Sequence, residues 1–300
     1  MMKIELCTSN YSEDIRIYPE GEEALQGKVA EIMKSLGCVI EVLRLHPTTV
    51  QLNKEFIKEE AVDMTRRVHV IGKIPGSSDG RSLMLITHPD ADSINPESWS
   101  KPLHEGVIED GRMYGWAAAD DLTGQCMMFE ALAALKEAGY KPGGDLYLMS
   151  ASAKRNAWGI AALLREGYTA DAAIYLHPAE SELGLKEIKT TTSGLLKFRI
   201  NIRGLKPPRT EFVQVTFNHL GVNSIDKAVY VMDALKRFNE NRVRTVRYPP
   251  LEKAVGRSTN LLIAYIEAGK PHNLTDVPHE CVIGIGLTFP PHEDIDELVA

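Results

Sequence analysis

Apolar residues recur along the first part of the chain in two rhythms. From Glu20 to Leu36, the residues Ala24, Leu25, Val29, Ile32, Met33 and Leu36 fall at helical spacing, and Gly37 stops the run. That pattern predicts an amphipathic helix. Strand-like Cys38–Leu45 follows, and short apolar runs at Val68–Ile74 and Leu83–Thr87 also predict strands. A long helix over Leu122–Ala138 ends before Gly139. It is followed by a strand at Asp145–Met149, a helix near Asn156–Glu166 and a strand at Ala172–Leu176. Strands alternating with helices at this spacing predict an α/β domain built on a helix-covered, mainly parallel sheet.

The rhythm changes after Gly194. Leu196, Phe198, Ile200 and Ile202 alternate with Lys197, Arg199, Asn201 and Arg203, as in a half-exposed strand. A polar stretch with Pro207-Pro208 leads to a helix over Ser224–Asn239, then to strands at Asn260–Glu267 and Cys281–Phe289. This order predicts a smaller α+β domain, so the chain divides into residues 1–193 and 194–300. Pro290-Pro291 opens one more helix, with acidic residues in its first turn where the dipole favours them. That helix is cut before any cap, and the expectation is a fold that continues past Ala300.

Composition narrows the class of function. The chain has 300 residues, 44% of them apolar and 25% charged, enough for a substantial core. Thirty-four basic against 41 acidic residues give a net charge of −7, and no basic run carries interleaved aromatics. Nucleic acid is therefore not an expected partner. No stretch approaches the ~20 apolar residues needed to span a bilayer, and MMKIELCTSN has no apolar core followed by a cleavage site. Cys7, Cys38, Cys126 and Cys281 are scattered, with no C-x-x-C. The expectation is a reduced, cytoplasmic protein acting on a small molecule.

Three places along the α/β half carry candidate chemistry. Leu83–Thr87 runs into His88-Pro89-Asp90-Ala91-Asp92, which puts an imidazole at a strand's carboxyl end with a carboxylate two residues on. The imidazole suits a metal, and the acid suits its orientation. Asp120-Asp121 opens the long helix after a run of small residues. These carboxylates suit N-capping, or one on a metal while the other caps. Ala172–Leu176 again ends in His-Pro, at His177-Pro178. Together His88, Asp120 and His177 make a mixed nitrogen and oxygen set for zinc or a similar divalent ion.

These residues also carry a resemblance. SLMLITHPDAD, GVIEDGRMYGWAAADDLTG, LAALKEAGYKPGGDLYL, GYTADAAIYLHP and HLGVNSIDKAV resemble the M20 family of metallohydrolases, which contains acetylornithine deacetylase and succinyl-diaminopimelate desuccinylase. The resemblance runs from about residue 66 to 289, about three quarters of the chain. It implies a catalytic α/β domain, an inserted ferredoxin-like lid that forms a homodimer, and two zinc ions that activate water to cleave an amide. Residue by residue, it makes His88 the first metal ligand, Asp90 the acid that orients it and Asp120 the bridging carboxylate. His177 stands where the family usually has a carboxylate ligand.

The chain departs from that family after the strand Asp145–Met149. Counting back from Gly159, the family's paired glutamates, a general base and a ligand, fall on Ala153 and Lys154. Alanine takes no proton and a protonated lysine does not ligate, so the sequence implies one ion rather than two. The lid histidine that reaches a neighbouring site is missing from Arg203-Gly204-Leu205-Lys206-Pro207-Pro208. His219 is either a substitute or an ordinary lid residue, and His292 belongs to the lid's own helix start. The family's last ligand histidine lies beyond the lid.

The leading reading is a metal-dependent hydrolase of a C–N bond in a small N-acyl amino acid or peptide-like substrate. Its base is unassigned among Asp92, Asp121 and a neutralised Lys154. Lys154 or Arg155 also suits a substrate carboxylate or an oxyanion. Two alternatives use the same residues: an inactive binding or dimer-forming descendant, and metal-free chemistry with Lys154 as nucleophile or Schiff-base former.

Overall fold

The computed structural model describes residues 22–45, 67–90, 96–154, 157–177 and 186–299. Contacts divide the chain into two compact units, Met1–Glu187 and Ile188–Ala300.

In the first unit, helix α1 (Glu22–Ser35) buries Leu25, Val29, Ile32 and Met33, the stripe its spacing predicts. The strands are β1 (Val39–Arg44), β2 (Val68–Ile74), β3 (Leu83–Thr87), β6 (Leu146–Ser150) and β7 (Ala172–Tyr175), arranged β1-β2-β6-β3-β7. β6, β3 and β7 pair in parallel, while β2 is antiparallel to both β6 and β1. Four of the five strands thus run in one direction and β2 alone opposes them. Helices α1 and α2 (Thr123–Glu137) cover one face, where Val29, Met33, Met128 and Phe129 pack on Val70 and Leu148. Helix α3 (Trp158–Arg165) covers the other, with Leu163 against Ile71, Ile86 and Met149. β2 and β6 are buried on both faces, so neither shows the regular apolar–polar alternation of a half-exposed strand.

A hairpin that the apolar pattern does not signal, β4 (Val107–Glu109) and β5 (Arg112–Tyr114), turns at Asp110-Gly111. Both turn residues have positive φ, 51° and 72°, the conformation a two-residue hairpin favours.

His69 of β2 is fully buried, and neither ring nitrogen has a hydrogen-bond partner. Gly159 of α3 faces the ring, where a Cβ would stand 3.1 Å from Cε1. Burial, with the Arg67 charge adding to it, holds the pKa down at about 4. An unfolded imidazole titrates near 6.5, so between that pH and 4 the unfolded chain binds a proton that the folded chain does not. Stability therefore falls as pH drops through this window, by about 3 kcal/mol over its full width. His69→Leu should cancel that loss. Urea unfolding at pH 7 and pH 4 checks it: the variant should gain about 3 kcal/mol on wild type between the two. An unchanged difference would place the acid sensitivity elsewhere.

The second unit is a three-stranded antiparallel sheet in the order β8-β10-β9, made of β8 (Gly194–Arg203), β9 (Asn260–Ala268) and β10 (Glu280–Phe289). β8 and β9 run parallel on either side of β10 and are joined through α4 (Ser224–Thr245), a split β-α-β unit. The alternation read in β8 is realised: Leu196, Phe198, Ile200 and Ile202 are the less exposed set, and the last three pack with Ala228 of α4.

Helix α4 runs nearly two turns past the predicted end at Asn239. Arg242, 7% exposed, is held there by Glu293 at 2.6 Å and Thr259 at 3.2 Å. A buried arginine leaves no apolar mark in a sequence, so the extension is not readable from hydrophobic spacing. Short helix α5 (Pro249–Val255) is likewise absent from the predicted elements, whereas α6 (Ile295–Val299) realises the acidic helix start, with Asp294 Oδ1 accepting from the Asp296 N–H at 2.7 Å. Among the described residues no helix is long and apolar enough to cross a membrane.

Candidate metal centre

The parallel strands β6, β3 and β7 end at one side of the sheet, the side where open α/β sheets bind ligands. The ladder sets the spacing: Ile86 lies opposite Tyr175, and the Leu176 N–H donates to the Ile86 carbonyl at 2.9 Å. His88 and His177, just past the ends of β3 and β7, therefore stand side by side with ring centroids 5.8 Å apart. Beyond β6, the Ala151 N–H donates to the Thr87 carbonyl at 2.9 Å and carries the chain to Lys154.

Asp120 enters from an irregular turn, Ala118–Leu122, that precedes α2. The Asp120–Asp121 peptide is cis, and Ala117 before the turn has a left-handed φ of 59°. Gly124 is where this segment meets β7: a Cβ there would stand 2.2 Å from Asp121 Oδ1 and 2.4 Å from the Leu176 carbonyl oxygen. Two further left-handed alanines, Ala153 (φ 66°) and Ala157 (φ 53°), flank Lys154.

Asp120 is the hub. Its Oδ1 lies 3.0 Å from His88 Nε2 and 3.1 Å from His177 Nε2, and its Oδ2 pairs with Lys154 Nζ. His88 Nδ1 is 2.7 Å from the Asp90 main-chain carbonyl. A carbonyl only accepts, so Nδ1 carries the proton and Nε2 turns a lone pair toward Asp120. Asp90 thus orients His88 through its backbone. Its Oδ1 is 4.0 Å from Nδ1, and its Oδ2 accepts from the Lys154 N–H at 2.9 Å. The main-chain carbonyl of Asp90 is thus a closer partner of the ring than its carboxylate, to which the sequence assigns the orienting role.

The charges follow from burial and contact. Burial lowers the His88 pKa, against the opposing pull of Asp90 and Asp120. Burial works to raise the Asp120 carboxyl, but Lys154, His177 and His88 outweigh it and hold the group below its ordinary value. Asp121 is fully buried and is pushed up to about 8 by desolvation, while hydrogen bonds from the His88 and Gly124 main chain oppose that rise. Its Oδ2 accepts from His88 N at 3.2 Å, so one acid of the pair faces the imidazoles and the other ties the helix start to β3.

His88 Nε2 and Asp120 Oδ1 are both buried, and neither has a hydrogen-bond partner. A lone pair held 3.0 Å from a carboxylate oxygen is repulsive without a cation between them. His88, Asp120 and His177 offer one ligand atom each, all within 4.8 Å of one another. Two imidazoles and a carboxylate fit a zinc-like divalent ion. The His88 side chain is 2% exposed, His177 24% and Asp120 34%, so the cluster opens on one side, as a catalytic centre requires.

Of the other residues singled out in the sequence, Ala153 is buried beside Lys154 and has no side chain to reach the cluster. Arg155 and Asp92 lie outside the described residues. His219 belongs to the second unit, in the helical turn Gln214–Leu220. Tyr175 is not among the residues the sequence singles out, yet its ring centroid stands 5.3 Å from that of His177 and 6.1 Å from that of His88. Its place two residues before His177, on the same face of β7, is the available signal.

Residues 84–280 match the model of peptidase family M20/M25/M40. The chain belongs to this family. It is 22% identical over 236 residues to N-formyl-4-amino-5-aminomethyl-2-methylpyrimidine deformylase of Bacillus subtilis, covering 77% of this chain and 54% of that protein. It is 24% identical over 231 residues to carboxypeptidase G2 of Pseudomonas sp., covering 76% and 49%. The chain thus spans about half the length of these curated relatives. An M20 family metallo-carboxypeptidase from Sulfolobus solfataricus shares the fold at 15% identity, with a TM-score of 0.64 over 99% of this chain and 74% of its own.

Proposed function

We propose that this M20 chain serves the metal-dependent hydrolysis of an amide bond in a small N-acyl amino acid or peptide-like substrate. One divalent ion, zinc or a near equivalent, would be held by His88, Asp120 and His177. The observation that carries this reading is the convergence of two imidazole Nε2 atoms on a single oxygen of Asp120, at 3.0 and 3.1 Å. A divalent ion, when bound, supplies a Lewis acid for the carbonyl and a water of lowered pKa. The chain's own residues do the rest. Asp90 fixes the His88 tautomer through its carbonyl and anchors Lys154 through its carboxylate. Asp121 and Asp92 are the candidates for accepting the water's proton, and the Lys154 ammonium, paired with Asp120, is a candidate for stabilising an oxyanion. Arg155 and His219 are assigned to the substrate on charge and type alone.

The second unit is proposed as the lid and as the contact for a homodimer through β8 and α4. Val229 and Tyr230 on α4 are 55% and 71% exposed, and β8 is a sheet edge among the described strands. A sedimentation coefficient of a monomer at concentrations well above those of an assay would dismiss this dimer. A cytoplasmic location is supported by the free thiols of Cys38 and Cys281.

A second reading, a binding protein without catalysis, is favoured by one feature: buried Ala153 at the position of the family's base. Hydrolysis measured across N-acyl amino acids and dipeptides decides between them. Turnover that a chelator stops and added zinc restores supports the enzyme. Protein loaded with zinc that hydrolyses none of them supports the binding reading.

A further inference from the structure

Asp120 shares its two oxygens unequally. Oδ1 faces His88 and His177, whereas Oδ2 is taken by the Lys154 ammonium. Lys154 is tied at both ends, because its N–H donates to Asp90 Oδ2 at 2.9 Å and its Nζ pairs with Asp120. The Lys154 carbonyl in turn accepts from the Ala157 N–H at 2.9 Å. A long, flexible side chain held in this way is a built part of the site and not a solvated surface charge.

We infer that the Lys154 ammonium is an internal counter-cation, tethered on the far edge of the Asp120 carboxylate, that restricts the centre to a single metal ion. The inference rests on the reading of His88, Asp120 and His177 as the ion's ligands. Charge decides the count. Among the described residues the carboxylates that touch Lys154 are those of Asp90 and Asp120, and one dication with the ammonium exceeds them by a single charge. A second dication beside a fixed ammonium would raise that excess to three, in a partly desolvated pocket where such repulsion is poorly screened. With glutamate at position 154, two dications would face three carboxylates, and the excess would return to one. The ammonium also draws charge from Asp120, which weakens that residue's hold on the ion it does bind. Lys154 thus sets both the number of ions and their affinity, without touching the metal.

Metal content after zinc loading and desalting, with zinc titration for affinity, tests this without reference to turnover. Wild type and Lys154→Arg should hold one ion per chain and Lys154→Glu two. Lys154→Met, a neutral side chain of similar length, should bind its single ion at least about tenfold more tightly than wild type. Far-ultraviolet circular dichroism identifies any variant that fails to fold, and the Met variant keeps the test open if the Glu variant does not. A folded Lys154→Glu that still holds one ion overturns the inference. So does a Lys154→Met that binds more weakly, as loss of a merely structural lysine would give, or a wild type that holds two ions. Wild type with none and Lys154→Glu with one would sink the three-ligand reading while sustaining the role of Lys154.

Discussion

His88→Ala and His177→Ala should each weaken zinc binding by at least about 100-fold, since even partners that only orient a ligand are worth ~10- to 100-fold. The two should differ in their side effects. His88 is 1% exposed and hydrogen-bonded to Asp90, so its removal also opens a buried space and costs stability without metal. His177 is partly open to solvent, and its truncation should leave the metal-free stability near that of wild type. Thermal unfolding with and without zinc separates the two effects. Zinc at about 100 times its dissociation constant should stabilise wild type by about 2.7 kcal/mol and neither variant measurably. Full zinc stabilisation retained by His177→Ala would remove that residue from the ligand set.

Gly124→Ala is expected to be among the most damaging single substitutions in the first unit. The added Cβ would stand 2.4 Å from the Leu176 carbonyl oxygen and 2.2 Å from Asp121 Oδ1. Neither neighbour gives way easily: the carbonyl belongs to the residue before His177, and Asp121 is fully buried against the His88 main chain. Relief requires α2 to move off the end of β7, which should cost about 3 kcal/mol or more. The same shift separates Asp120 from His177, so zinc affinity should fall along with stability. Gly27→Ala is the control. Gly27 lies within α1, and a Cβ added there would have nothing within 4 Å, so alanine should stabilise by about 0.5–1 kcal/mol. Denaturant unfolding of both variants, with zinc titration of the first, gives the comparison. A Gly124→Ala protein as stable as wild type would show that the helix slides freely along the strand.

Much of this arrangement is open to sequence reading because it follows from local rules. β3 is apolar up to its closing threonine, α1 carries a clean helical stripe, and β8 alternates without interruption, so each element marks its own limits. The reversed direction of β2 and its place between β1 and β6 leave no such mark, because they depend on pairing between distant segments. The candidate site divides in the same way. His88 and His177 are conspicuous as histidines closing two apolar strands. That their Nε2 atoms meet on one oxygen of Asp120 depends on parallel register, which no residue announces. The part played by the Asp90 backbone is hidden for a related reason, since a main-chain carbonyl is the same in every residue.

The left-handed alanines have a consequence for how firmly the cluster is held. Ala117, Ala153 and Ala157 occur in the turns that carry Asp120 and Lys154, where glycine would be the easier choice. Each β-carbon raises the folded chain's energy by about 1 kcal/mol and removes many of the shapes that glycine would allow. These turns behave as short springs wound in one direction, not as slack hinges. Packing beneath them keeps them wound, so the imidazoles and the ammonium are stationed around Asp120 before any ion or substrate arrives, and little reorganisation remains when one does.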